Sequence, residues 1–382
     1  MKILYYLPSL HTSGGLERII TLKANKLAEN FGYEVIILTS EQSGRKPYYP
    51  LYESVKHFDL RVDFDSDNKK SRVARFLLYP LKYYLFKKRF SDFLLQNKPD
   101  ITISTLRREL NFINSLKDGS IKIGEFHVTR NAYHSGSITG NSFLMKIIKR
   151  QWGKLFVSNL KKLSKVILLT KEEVANWPEL SNTKVIYNPL TLSPERASKC
   201  EEKKVIAVGR YAYQKGFDLL IEAWKIVNQK HEDWQLRIYG EGDRRKLNAQ
   251  IHSLNLEDSC ILEKAVKNIE EKYLESSIFV LSSRFEGFGM VIAEAMACGV
   301  PPVAFSCPSG PKDIITDGVD GILVEPLNID HLAQKICYLI ENLKDRKEMG
   351  KKAKINIERF NIENIMNQWK YLFESLLVEK SK

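Results

Sequence analysis

Two α/β domains, each built from βαβ units, is the fold class this sequence predicts, and three observations predict it. Short apolar runs of strand length recur along the chain and alternate with longer segments that read as helix. Several of these runs end in glycine-bearing loops that lead into a helix. The alternation pauses at a polar stretch ending near Lys204 and then restarts, and 382 residues suffice for two domains of ordinary size. The expected division is 1–189, 190–360 and a last helical segment, 361–382.

In the first half, KILYYL (Lys2 to Leu7) reads as a buried strand. HTSGGLER follows with Gly14 and Gly15, then a helical run from Leu16 to about Asn30, then a strand in EVIILTS (Glu34 to Ser40). The G-x-G-x-x-G spacing of a dinucleotide fingerprint is not met. DFDSD (Asp63 to Asp67) invites a metal reading, but it lacks the glycine and glutamate of a calcium loop, so a solvated acidic loop is expected. From Ser71 to Leu95 aromatic, apolar and basic residues are mixed, with Pro80 expected to kink or divide the segment. This composition suits an interfacial membrane helix and equally a packed helix with solvated lysines. DITIST (Asp100 to Thr105) and IKIGEF (Ile121 to Phe126) read as strands. His127 follows the second, at a strand end where open α/β sheets place ligands. Arg130 is near enough to meet a phosphate, and His134 is read as structural. Asn141 to Leu163 reads as a basic amphipathic helix, and KVILLT (Lys165 to Thr170) as a strand. KVIYNPL (Lys184 to Leu190) ends in an Asn-Pro turn.

Composition narrows the class. Hydrophobic content of 43% supports globular cores. No run approaches the ~20 apolar residues of a spanning helix, and the first residues make no convincing signal peptide. Five scattered cysteines without metal spacing point to a reduced, cytoplasmic compartment. Residues 1–189 hold 31 Lys and Arg against 17 Asp and Glu, whereas the rest hold 28 against 29. An anionic partner of the first half follows: membrane, lipid phosphate or nucleic acid.

The second half carries the denser motifs. KVIAVGRYAYQKGFDLLIEAW (Lys204 to Trp224) reads as strand, loop and helix, with Arg210 and Lys215 flanking the loop. WQLRIYGEGD (Trp234 to Asp243) brings Gly240 and Gly242 to a strand end, and CILEKAVKN should bring Lys264 to Val266 to another. IFVLS (Ile278 to Ser282) reads as a buried strand, followed by a loop with Gly287 and Gly289 and a helix start in MVIAEAMA. Strand, glycine loop and helix aim free backbone N–H groups and a positive helix end at an anion. Glu286 and Glu294 bracket the turn, and each carboxylate can accept from two neighbouring hydroxyls. A sugar diphosphate therefore suits this unit better than a bare phosphate. Three helical stretches finish the chain.

The spacing of Glu286 and Glu294 resembles the Glu–seven residues–Glu signature of family 4 retaining glycosyltransferases. The resemblance covers nearly the whole chain and is loosest from about Gln42 to Lys98. It implies the GT-B fold: two Rossmann-like domains facing a central cleft, with the last helix crossing back to the first domain. It also implies roles. Glu286 touches the donor sugar, Glu294 holds the nucleotide ribose, and the amides of Phe288, Gly289 and Met290 meet sugar and diphosphate. Arg210 and Lys215 neutralise the diphosphate, Gly240 lies near the nucleotide, Gly14 and Gly15 lie over the reaction site, and His127 sits beside the donor sugar. Gly-Pro-Lys-Asp at 310–313 resembles members acting on surface polysaccharides and lipid-linked glycans.

The resulting expectation is transfer of a hexose or N-acetylhexosamine with retention. The donor is a nucleotide sugar, with uridine diphosphate as the expected nucleotide, and the acceptor a surface polysaccharide, lipopolysaccharide or lipid-linked glycan. No metal or other cofactor is expected, because two cations can do a metal's work at the diphosphate. No carboxylate pair of the hydrolase kind is apparent, so front-face attack is expected. The protein should lie peripherally on the cytoplasmic face of a membrane through residues 71–95, without a nucleic-acid partner. Two rivals are a nucleotide-sugar epimerase of the same fold and a non-catalytic membrane or nucleic-acid binder.

Overall fold

The computed structural model describes residues 1–64, 72–130 and 143–381, with the backbone alone at 72–73, 75–76 and 143–149. Asp65 and Asp67 of the acidic loop, and His134, lie outside the described residues. The chain forms two compact units. The first comprises 1–169, 173–187 and 363–382, and the second 170–172 and 188–362.

The first unit holds β1 (Lys2–Tyr6), β2 (Glu34–Thr39), β3 (Lys56–Asp59), β4 (Ile101–Ser104), β5 (Ile121–Glu125), β6 (Lys165–Leu168) and β7 (Thr183–Val185), all parallel, in the order β3-β2-β1-β4-β5-β6-β7. Strands such as β1 and β4 are buried on both faces, as a parallel sheet with crossover helices requires. β3 (KHFD) is an edge strand without an apolar run, which is why periodicity does not reveal it. The helix Gly15–Phe31 buries Ile19, Ile20, Ala24 and Leu27, and with them one charged residue, Lys23.

The mixed basic–aromatic segment is a single helix, Arg72–Asn97, running through Pro80. The expected division at the proline does not occur. Proline in a helix interior costs about 3 kcal/mol, which the wholly buried Phe86, Phe90 and Leu94 offset from the following turns. These side chains join Tyr6, Phe112 and Leu110 in the core. Lys82 donates to the Asp63 carbonyl, and Arg89 to those of Leu60 and Arg61. Leu77, Leu81, Tyr84 and Leu95 are exposed. Spacings of three, four and seven put Leu77, Leu81 and Tyr84 on one stripe with the exposed Lys88.

The second unit holds β8 (Lys204–Val208), β9 (Gln235–Gly240), β10 (Cys260–Lys264), β11 (Ile278–Leu281), β12 (Pro302–Phe305) and β13 (Ile322–Val324), again parallel, in the order β10-β9-β8-β11-β12-β13. In both sheets the order reverses beside the first strand, between β1 and β4 and between β8 and β11. Ligands of open α/β sheets bind outside the carboxyl ends of the strands at such a point. The five cysteines are buried and unpaired. Among the described residues no helix is long and apolar enough to cross a membrane.

Candidate active site

The loops that follow β8 and β11 flank the reversal of the second sheet, and they are sewn together. Arg284 forms a fork to Asp218, at 2.8 and 2.6 Å, and also donates to the Tyr213 carbonyl. That fork holds the Asp218 carboxyl below the ordinary carboxylate range. Gln214 donates to the Phe285 carbonyl, and Ser282 Oγ to that of Lys215. Gly216, at φ +61°, leads into the helix Phe217–Asn228 and passes so close to the other loop that a Cβ would lie 2.1 Å from the Ser282 oxygen. Only glycine fits there.

This stitching brings Lys215 and Glu286 together. Lys215 Nζ lies 2.7 Å from Glu286 Oε1, which also accepts from Ser283 Oγ at 2.5 Å. Both side chains are largely buried, at 14% and 6% exposure. Arg210, at the start of the same β8 loop, is exposed. Among the described residues no hydrogen bond or ion pair engages its guanidinium. One residue of the loop thus presents a solvated cation and another a cation locked to a carboxylate.

Gly289, at φ +91°, precedes the helix Met290–Ala297, whose first turn has no side-chain cap. Uncapped first-turn N–H groups are donors for an anion. Phe288 is buried against the Phe360 ring, edge to face at 5.5 Å, and Met290 is half-buried. Glu294 points from the second turn into the interior. Its Oε1 accepts from Thr191 Oγ1 at 2.7 Å, and Oε2 lies 3.4 Å from the Tyr273 hydroxyl. Gly240, at the end of β9, passes against the Gly209 carbonyl. The Tyr211 hydroxyl lies 2.6 Å from the carbonyls of Ile238 and Glu263 and ties β9 to β10. Beyond the spacing-based residues, the structure thus adds Thr191, Tyr273, Ser282 and Ser283. Single hydroxyls carry no spacing signal.

In the Gly-Pro-Lys-Asp segment, the Lys171 N–H donates to Asp313 and the Ser309 N–H to Glu172, which Lys312 also approaches at 3.5 Å.

Four predicted residues belong to the first unit. Gly14 and Gly15 open the helix Gly15–Phe31, where the Glu17 carboxylate folds back and accepts from Thr12 Oγ1 at 2.6 Å. His127 stands two residues beyond β5 with its side chain 11% exposed, Nε2 lying 3.3 Å from Glu125 Oε1. Arg130 does not stand ready for a phosphate. Its guanidinium forks onto Glu179 at 2.8 Å to each oxygen, stacks over the Trp177 ring at 4.5 Å, and reaches the Asn176 carbonyl. A strand-end arginine reads as an anion site in sequence, but the nearby carboxylate of Glu179 has claimed it. Among the described residues no group of three or more His, Cys, Asp or Glu is placed to hold a metal ion.

Two parallel sheets of seven and six strands in these orders are those of the GT-B fold. The TarM protein of S. aureus, solved with UDP, has the same fold, with a TM-score of 0.77 over 97% of this chain and 99% of that one at 20% identity. Sequence then gives the family. The description "Glycosyl transferases group 1" matches residues 191–356. An uncharacterized glycosyltransferase of Haemophilus influenzae is 30% identical over 376 residues, covering 97% of this chain and 99% of the relative. The amylovoran biosynthesis glycosyltransferase AmsD of Erwinia amylovora is 26% identical, covering 96% and 98%. The chain belongs to the group 1 glycosyl transferases.

Proposed function

We propose that this glycosyltransferase is a retaining, family 4 enzyme. It moves a hexose or N-acetylhexosamine from a UDP sugar to a growing surface-polysaccharide or lipid-linked glycan, without a metal ion. The observation that carries this reading is the Lys215–Glu286 pair: a cation and a carboxylate locked together at the switch point of the second sheet, beside the uncapped turn at Gly289. An ammonium has three N–H groups, and Glu286 takes one. The other two, with Arg210 and the amides of Phe288, Gly289 and Met290, are assigned to the diphosphate and sugar. Glu286 accepts from hydroxyls of the donor sugar, and Glu294, with Thr191 and Tyr273 around it, from the ribose. Gly240 borders the nucleotide.

In the reaction the bond between the anomeric carbon and the diphosphate oxygen breaks. The two cations stabilise the charge that grows on the leaving group. The acceptor hydroxyl forms the new bond on the same face, and its proton passes to the departing phosphate oxygen. His127 and the Gly14–Gly15 turn are assigned to the sugar end of the donor on the family resemblance. The UDP in the TarM complex supports the choice of nucleotide, and the printed role of AmsD supports a polysaccharide product.

The deciding experiment incubates the protein with a panel of nucleotide sugars and scores nucleoside diphosphate release, with and without a lipid-linked acceptor, with and without chelator. The reading expects release that requires acceptor, prefers a UDP sugar and survives chelator, with the product anomer matching the donor's. Activity lost in chelator and restored by manganese overturns the metal-free assignment. Interconversion of the nucleotide sugar without acceptor identifies the epimerase instead.

The lipid side of the reading rests on the helix Arg72–Asn97. Its exposed stripe of Leu77, Leu81, Tyr84 and Lys88, with Lys87 alongside, fits an anionic bilayer by both apolar contact and charge. On this reading the protein is assigned peripherally to the cytoplasmic face of a membrane.

A further inference from the structure

Glu125 ends β5, and its side chain is 1% exposed. So is that of Lys23, whose ammonium pairs with Glu125 Oε1 from the helix Gly15–Phe31. The ammonium also lies over two rings, 5.6 Å from the Tyr5 centroid and 4.2 Å from that of Trp369 in the helix Ile362–Ser381. On the other side of the carboxylate stands His127. Its Nε2, buried, is 3.3 Å from the same Oε1 yet makes no hydrogen bond. Glu125 Oε2 and the Tyr5 hydroxyl are likewise buried without a hydrogen-bond partner.

Buried polar atoms are nearly always paired, so this cluster at a strand end calls for a reason. A structural ion pair explains Lys23 and one carboxylate oxygen. It explains neither the second oxygen nor the imidazole nitrogen held within reach of the first. Burial pushes the Glu125 carboxyl up, but the Lys23 ammonium and then His127 more than offset it and hold it at about 2. An anionic acceptor is therefore fixed beside an imidazole whose proton can sit on either nitrogen.

We propose that Glu125, paired with Lys23, is a positioning residue for His127. It accepts a hydrogen bond from Nε2–H, so fixing that tautomer, and leaves Nδ1 as an acceptor for a hydroxyl of the donor sugar. The alignment needs only a reorientation of groups already 3.3 Å apart. Lys23 keeps the carboxylate charged, and Trp369 covers Lys23, so the last helix supports the histidine from within the first unit. The inference rests on the proposed placement of His127 at the donor sugar.

The test separates the two. Ring nitrogens of 15N-labelled histidine report the tautomer in the wild-type protein. His127 should appear as Nε2–H and should change in Glu125→Gln. The double variant Lys23→Met/Glu125→Leu replaces the ion pair by apolar groups, a change that buried pairs often tolerate without loss of stability. With the active nucleotide sugar, kcat should fall on the order of 100-fold, as for a displaced catalytic group. Donor KM and nucleoside diphosphate affinity should hold. In a His127→Ala background, altering Glu125 should cost nothing further. A wild-type Nδ1–H tautomer overturns the inference. So does a double variant that transfers at the wild-type rate while His127→Ala is slow. If His127→Ala itself transfers at the wild-type rate, the placement of His127 fails, and this inference fails with it.

Discussion

Glu286 and Glu294 stand in the same motif but are held by different groups, and that difference separates their expected effects. Glu294 is held by Thr191 and Tyr273 inside the second unit, Glu286 by Lys215 and Ser283 at the loop. Glu294→Ala should weaken nucleoside diphosphate binding by about 1–3 kcal/mol, the usual range for a lost charged hydrogen bond. Glu286→Ala should leave that binding intact and lower turnover with the sugar donor. Calorimetry with nucleoside diphosphate alone, beside turnover assays, checks the pair, and equal loss of binding in both would end the division of roles. Glu125 supplies the pH signature. Its folded pKa, about 2, lies below the ordinary glutamate value, so the unfolded chain binds more protons as pH falls. Its contribution to stability is complete above about pH 4.3, the unfolded value, and drains as pH falls toward the folded one. Urea unfolding at pH 5 and pH 3 should show a larger acid loss in wild type than in Lys23→Met/Glu125→Leu. The spacing of the two motif glutamates was legible in the sequence. The Lys23–Glu125 pair was not, because a lone charge in a helical pattern reads as part of a solvated face, and only the fold removes it from water.

At the scale of elements, the strands were legible wherever they are buried on both faces, because a continuous apolar run between turn residues has few other uses in a chain of this length. β3 was illegible for the converse reason, since an edge strand such as KHFD needs no such run. The helix Arg72–Asn97 shows what sequence cannot apportion. Its basic residues looked alike, yet Lys82 and Arg89 hold backbone carbonyls at 60–63 while Lys87 and Lys88 are exposed. A test of membrane binding should therefore leave Lys82 and Arg89 alone. Replacing Leu77, Leu81 and Tyr84 by serine should abolish the salt-resistant part of binding to anionic vesicles. Neutralising Lys87 and Lys88 should remove the salt-sensitive part, worth about 1 kcal/mol per charge. Turnover on a short water-soluble acceptor should persist in both, and vesicle co-sedimentation at two salt concentrations reads the result. If both variants sediment as wild type does, the helix only packs on its sheet. Pro80→Ala restores a backbone donor at an exposed position of this helix and should raise the urea midpoint, by up to about 3 kcal/mol of stability.

At the scale of the molecule, the chain leaves the first unit after Tyr187 and re-enters it at Glu363. The second unit is therefore almost one continuous stretch, whereas the first depends on a distant helix. That helix, Ile362–Ser381, buries Ile365, Met366, Trp369, Leu372, Phe373 and Leu376. At about 1.5–3 kcal/mol per buried apolar side chain, their removal costs on the order of 10 kcal/mol. Whole-domain stability is commonly about 5–15 kcal/mol. A chain ending at Asn361 should thus lose the first unit as a cooperative structure, with Lys23 stripped of the Trp369 ring. The residues proposed to hold the donor, Arg210, Lys215, Glu286 and Glu294, keep the hydrogen bonds to Thr191, Tyr273 and Ser283 and the Lys215–Glu286 pair, all within 188–362. The truncated protein is expected to bind nucleoside diphosphate with near wild-type affinity and to transfer nothing. Hydrogen exchange should find β1, β4 and β5 unprotected while β8 and β11 remain protected. Calorimetry supplies the binding arm. Loss of nucleotide binding together with the first unit would mean that the two units do not fold independently, and that the donor site needs more than the second sheet and its loops.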